Sequence, residues 1–170
     1  MAKIFAPVES GLNPAHDFVV EREALRFAAE AGVPVSTPTA FGCIEDAYVF
    51  RYIRMEWVDG REAGDVLPGF GAAELEGFVQ AFKGLLRKLN RQPSRRLFDP
   101  IDAVERAVHN PRLSALPDTL AGDMRARARA AKASASVFVH GDLTRENVLI
   151  RPDGGIVVID FADSNIAPAE

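Results

Sequence analysis

Val137-Phe138-Val139-His140-Gly141-Asp142-Leu143-Thr144-Arg145-Glu146-Asn147-Val148-Leu149-Ile150-Arg151, followed by Pro152-Asp153-Gly154-Gly155 and Ile156-Val157-Val158-Ile159-Asp160-Phe161, decides how this chain is read. Short apolar runs at 137–139, 148–151 and 156–159 have the composition of strands, and Pro-Asp-Gly-Gly between the last two is a strong turn signal. The hairpin carries Asp160 back toward the polar loop that holds Asp142 and Asn147. A lone loop Asp is usually a cap or turn former, but three proton- or metal-competent groups at this spacing form a set. Phosphoryl transfer needs such a set: one carboxylate to orient and deprotonate the attacking hydroxyl, which Asp142 suits, and hard oxygen ligands for Mg²⁺, which Asn147 and Asp160 suit.

Working outward, 17–31 reads as a helix with an acidic start, with Leu25, Ala28 and Ala29 on one side and Gly32 and Pro34 as the stop. The runs 37–44 and 47–53, joined at Glu45-Asp46, read as a hairpin. Leu75, Phe78, Val79, Phe82, Leu86 and Leu89 recur at helical spacing, so 72–89 is expected to be an amphipathic helix whose stripe is core. Residues 90–100 read as a connector, 101–109 as a short helix and 118–133 as another. Strands at both ends around a helical middle give an α+β class.

The chain has 170 residues, 48% of them hydrophobic, enough to bury a core. It contains no 18-residue apolar run and no signal-like leader, so a cytoplasmic location without a membrane partner is expected. The single Cys43 can form neither an internal disulfide nor a Cys-based zinc site and reads as a small buried hydrophobe. A net charge of −4 is too mild to imply nucleic acid as a partner. Its distribution is uneven: residues 71–139 carry 12 Lys and Arg against 7 Asp and Glu, a net +5.

His140 through Asn147 resembles the catalytic loop of kinase-fold enzymes, in the glycine-bearing version found in the aminoglycoside phosphotransferase and choline kinase-like family. Ile159-Asp160-Phe161 resembles the metal-binding segment of that family. Met55-Glu56-Trp57-Val58-Asp59-Gly60 is similar to its interlobe hinge, which implies that Glu56 and Val58 hold adenine through backbone groups, with Trp57 between them and Met55 behind. Glu21 stands where the family's ion-pairing glutamate would be, although Glu23 lies close by. Lys3 matches the lysine that grips the phosphates. The likeness implies ATP and Mg²⁺ as cofactors, Asp142 as catalytic base, and Asn147 and Asp160 as metal ligands. His140 is read as a structural loop residue and Asp163 as a cap or turn residue.

The implied architecture is a two-lobed protein-kinase-like fold: an incomplete β-rich N-terminal lobe over 1–59 and a mainly helical C-terminal lobe over 60–170. Within the second lobe, 61–139 forms the helical substrate region and 137–163 the catalytic and metal loops. The family has a glycine-bearing hairpin before its lysine strand and more helices after its Asp-Phe segment, so both ends read as trimmed. The expected activity is transfer of the ATP γ-phosphoryl group to a hydroxyl of a small molecule, antibiotic or metabolite. The net +5 of the middle segment favours an anionic or neutral acceptor over a polycation. Two alternatives stand beside it: an atypical protein or lipopolysaccharide-sugar kinase, marked by phosphorylation of an acidic protein, and an inactive pseudokinase or nucleotide-binding module, marked by binding without turnover.

Overall fold

A computed structural model of the chain describes residues 1–7, 14–92, 104–105, 108, 117–133 and 136–168. The chain divides into two compact units, one comprising 1–89 with 140–164 and the other 90–139 with 165–170.

In the first unit, β1 (Ala2–Ile4), β3 (Val49–Met55) and β2 (Pro38–Glu45) form an antiparallel sheet in the order β1-β3-β2. Lys3 pairs with Ile53, and Ile53 with Phe41. Helix α1 (Pro14–Glu30) starts three residues before the sequence signal. It buries Phe18, Glu21, Ala24, Leu25 and Ala28, a stripe at helical spacing, while Ala29, read as part of that stripe, is exposed. Phe18 fastens the helix to the sheet through edge-on contacts with Phe5 and Phe41, at centroid distances of 5.6 and 6.3 Å. The helix ends where Gly32 takes φ +70°, with Gly32 N–H donating to the Ala29 carbonyl and Val33 N–H to that of Ala28. This paired arrangement satisfies carbonyls the helix would otherwise leave open.

The same unit holds β4 (Arg61–Glu62), β6 (Val148–Ile150) and β7 (Ile156–Val158), antiparallel in the order β4-β6-β7. The β6–β7 hairpin is the expected one. Gly154 at φ +81° makes the turn, and Gly154 N–H donates to the Arg151 carbonyl at 3.0 Å. Two short elements that carried no sequence signal, α2 (Ala63–Val66) and a 3₁₀ turn at Leu67–Gly69, lead into α3 (Ala72–Leu89). Ala63, Val148, Ile150 and Ile156 form a small core onto which Phe78, Phe82, Leu85 and Leu143 pack.

That core uses only part of the α3 stripe. Phe78, Phe82, Leu85 and Leu89 lie on its buried side, whereas Leu75 and Val79 are exposed, contrary to the expectation that the whole stripe is core. A stripe wider than one ridge buries only the ridge that meets a partner, here the one spaced four and three residues apart. Cys43 is also exposed rather than buried, because it lies on β2, an edge strand of its sheet.

In the second unit, α4 (Asp118–Ala133) has the bounds expected from sequence, and β5 (Ser136–Val139) pairs antiparallel with β8 (Asn165–Pro168), a strand without a sequence signal. Arg125 binds Glu105 through two bonds, of 2.7 and 2.9 Å. The expected helix over 101–109 falls largely outside the described residues, as does most of the 90–100 connector.

Candidate active site

All the residues singled out for chemistry lie in the first unit. Pairing with Ile53 in mid-strand fixes the Lys3 backbone, and the ammonium bridges two carboxylates, Glu21 at 2.8 Å and Asp160 at 2.6 Å. Glu21 sits on the buried stripe of α1, only 1% exposed, and its carboxylate also accepts the Phe161 N–H. Helix α1, strand β1 and the Asp-Phe segment are thereby tied at one point. Glu23 instead pairs with its neighbour Arg22 at 2.8 Å, so geometry separates the two glutamates that sequence left close.

Burial pushes the Glu21 carboxyl above its ordinary value, although Lys3 and the Phe161 amide pull the other way. Burial also acts to lower Lys3, but Glu21 and Asp160 outweigh it and raise the ammonium above 10.5. Lys3 therefore stays charged at any physiological pH.

The catalytic-type loop is built by local hydrogen bonds. Thr144 N–H donates to the Asp142 carbonyl at 2.9 Å and Asn147 N–H to that of Thr144 at 3.2 Å. Asn147 Nδ2 donates to the Asp142 carbonyl at 2.8 Å and to its Oδ2 at 3.0 Å. The Asn147 carbonyl accepts Ile159 N–H at 3.0 Å, which brings the residue before Asp160 beside the loop. Gly141 explains its own identity: φ is +89°, and a Cβ there would collide with the Asp163 carbonyl. Asp160 is the only described residue other than glycine at positive φ, 60°, a sparsely populated conformation for a residue with a side chain.

His140 is 3% exposed, packs at a tilt of 50° against Phe161 at a centroid distance of 4.5 Å, and donates from Nε2 to the Ile159 carbonyl at 3.0 Å. Its Nδ1 is buried without a partner among the described residues. Burial lowers its pKa below 6.5 against the opposing pull of that carbonyl and of Asp160, Asp142 and Asp163. Thr144, Arg145 and Glu146 lie on the exposed rim, with Arg145 Nε 3.2 Å from Glu146.

A cavity of about 260 Å³ opens beside this cluster, lined among others by Lys3, Glu21, Ser36, Met55, Ile159 and Asp160. It is slightly smaller than typical small-molecule sites, roughly 300–1,000 Å³. Met55 is 4% exposed at the end of β3, Val58 is 7% exposed and Trp57 is 74% exposed. Glu56 is anchored on both sides: its N–H donates to the Thr37 carbonyl at 2.9 Å, and its carbonyl accepts Ser36 Oγ–H at 2.7 Å. Sequence reading missed Ser36, because a serine between Val35 and Thr37 near two prolines carries only a turn signal.

The donor set fits a magnesium ion shared with phosphates. Asp160 is 47% exposed at its side chain, and the Asn147 amide directs its nitrogen at Asp142, leaving the oxygen as a hard ligand. No group of three or more His, Cys, Asp or Glu that could hold a metal occurs among the described residues; an ion at Asn147 and Asp160 would take its remaining ligands from substrate and water.

A lysine–glutamate pair on a strand and helix, an Asp-Asn loop and an Asp-Phe segment after a hairpin define a kinase-like fold. Residues 7–170 match the model of the Phosphotransferase enzyme family, APH, and the chain belongs to that family. Among solved structures, it is similar to an aminoglycoside-3'-phosphotransferase of type VIII, with 24% identity and TM-score 0.60 over 98% of this chain and 63% of that one. It is also similar to APH(3'')-Id from Streptomyces rimosus, with 20% identity and TM-score 0.56 over 98% and 65%. A third similar structure is a GDP and kanamycin complex of APH(2")-IIia, with 16% identity and TM-score 0.54 over 91% and 59%. The chain thus spans about three fifths of these structures' length. No curated protein matches it.

Proposed function

We propose that the chain carries the nucleotide and catalytic site of an ATP-dependent phosphotransferase acting on a hydroxyl of a small molecule. The observation that carries this reading is the placement of Lys3 between Glu21 and Asp160, at 2.8 and 2.6 Å, at the edge of a cavity, in the unit that also holds the Asp142–Asn147 loop. Lys3 binds phosphate oxygens, with Glu21 holding its ammonium in place. Glu56 and Val58 offer backbone groups to the base, and Met55 closes the cavity behind it. Asn147 and Asp160 hold Mg²⁺, which when bound neutralises phosphate charge. Asp142, oriented by Asn147, accepts the proton as the acceptor oxygen bonds to the γ-phosphorus, and the bond to the ADP oxygen breaks. The net +5 of residues 71–139 supports an anionic or neutral acceptor.

Asp142→Asn tests the assignment. Loss of a positioned base removes roughly 10²–10⁴-fold of rate, so ADP release with a panel of hydroxyl acceptors should fall by that order while nucleotide affinity stays within about threefold. Equal turnover by the variant removes Asp142 from the chemistry.

A further inference from the structure

We infer that Ser36 sets the choice of purine, holding the hinge in the state that accepts a 6-amino group and so favouring adenine over guanine nucleotides. The inference rests on the nucleotide-site reading given above. Ser36 follows α1 on a segment pinned to β7: the Pro34 carbonyl accepts Val158 N–H at 3.0 Å, and Val35 forms a parallel bridge with Val158. The side chain is 2% exposed, borders the cavity, and spends its hydroxyl proton on the Glu56 carbonyl at 2.7 Å. Glu56 N–H is meanwhile held by the Thr37 carbonyl at 2.9 Å. The peptide units on both sides of the Glu56 α-carbon are therefore fixed.

The two purines differ in what they present. Adenine offers a donor at its 6-amino group, whereas guanine has an acceptor at O6. The Glu56 carbonyl is held by Ser36, which itself borders the cavity; offered to a base there, it is an acceptor, which adenine pairs with and guanine does not. Meeting guanine in the same register requires the Glu56–Trp57 peptide to flip, replacing the carbonyl with the Trp57 N–H. That flip breaks the bond to Ser36 and leaves its buried hydroxyl proton without the Glu56 carbonyl as acceptor, a penalty of the kind that gives polar sites their discrimination. The carbonyl keeps a second lone pair, so Ser36 can hold it without using up its capacity to accept from a ligand.

Ser36 acts through the hinge, so it is a positioning residue, and the ratio of affinities is the quantity that reports on it. Calorimetric titration with Mg²⁺ and non-hydrolysable analogues of ATP and GTP, on the wild-type chain, Ser36→Ala and Ser36→Thr, provides the test. The expected result is tighter binding of the ATP analogue by wild type, a preference narrowed roughly threefold to tenfold in Ser36→Ala, and its retention in Ser36→Thr, which keeps the hydroxyl. A general loosening of the fold would weaken both analogues equally. An unchanged ratio in Ser36→Ala, or wild-type binding of the GTP analogue as tight as that of the ATP analogue, overturns the role of Ser36 and leaves the nucleotide site standing. Failure of a folded wild-type chain to bind either analogue overturns the nucleotide-site reading itself and this inference with it.

Discussion

His140 shows how one side chain can be structural and still bear on the site. It packs on Phe161 and holds the Ile159 carbonyl, so it constrains the peptide that leads into Asp160. Its folded pKa lies below 6.5, which means that the unfolded chain takes up the proton first as pH falls. Stability from this residue is therefore present above about pH 6.5 and is lost as pH drops below it. Urea unfolding between pH ~7 and ~5 should show stability declining with acid, and the decline should be shallower in His140→Gln, which keeps a donor but does not titrate. Glu21, shifted upward, works in the opposite sense as acid protonates it, so the difference between wild type and variant isolates the imidazole. Identical slopes would mean that His140 does not titrate differently on folding.

At the scale of elements, α1 is the part whose placement matters most, and its sequence already announced both the helix and the glutamate on it. Sequence did not separate Glu21 from Glu23, since two glutamates two positions apart on a helix are distinguished only by which face meets the sheet. Packing of Phe18 against Phe5 and Phe41 makes that choice and turns Glu21 inward to Lys3 and Phe161. Glu21→Gln should weaken Mg-ATP binding about tenfold by releasing Lys3, whereas Glu23→Gln should change it by less than about twofold, because Glu23 pairs with its neighbour Arg22 and not with Lys3. Equal effects in calorimetry would deny α1 its positioning role. Elements with strong periodicity or turn chemistry, namely α3, α4 and the β6–β7 hairpin, were legible, while β4, α2 and β8 were not. Each of those three is four residues or fewer, too short for a period to emerge, and the two strands exist because a partner strand is nearby. The exposed Leu75 and Val79 mark a different limit: periodicity identifies an apolar face but not how much of it finds a partner.

For the whole molecule, the local and the long-range parts of the candidate cluster were not equally legible. Asp142, Asn147 and Asp160 lie within nineteen residues, so the local loop and hairpin largely determine their geometry, whereas Lys3 and Glu21 reach Asp160 only through tertiary structure. Ser36 was invisible because its role lies in a bond to a backbone carbonyl twenty residues away. Every functional assignment above depends on the Lys3–Glu21–Asp160 cluster being a Mg-nucleotide site. A ligand that binds only the folded form must raise the melting temperature, by an amount set by its concentration relative to Kd. Thermal unfolding of the chain with ATP, with and without Mg²⁺, beside Asp160→Ala, is the most direct measurement. A magnesium-dependent rise of several degrees is expected at saturating ATP in wild type, and its disappearance in a folded Asp160→Ala variant; no rise in the folded wild-type chain, or an equal rise in the variant, would contradict the nucleotide site.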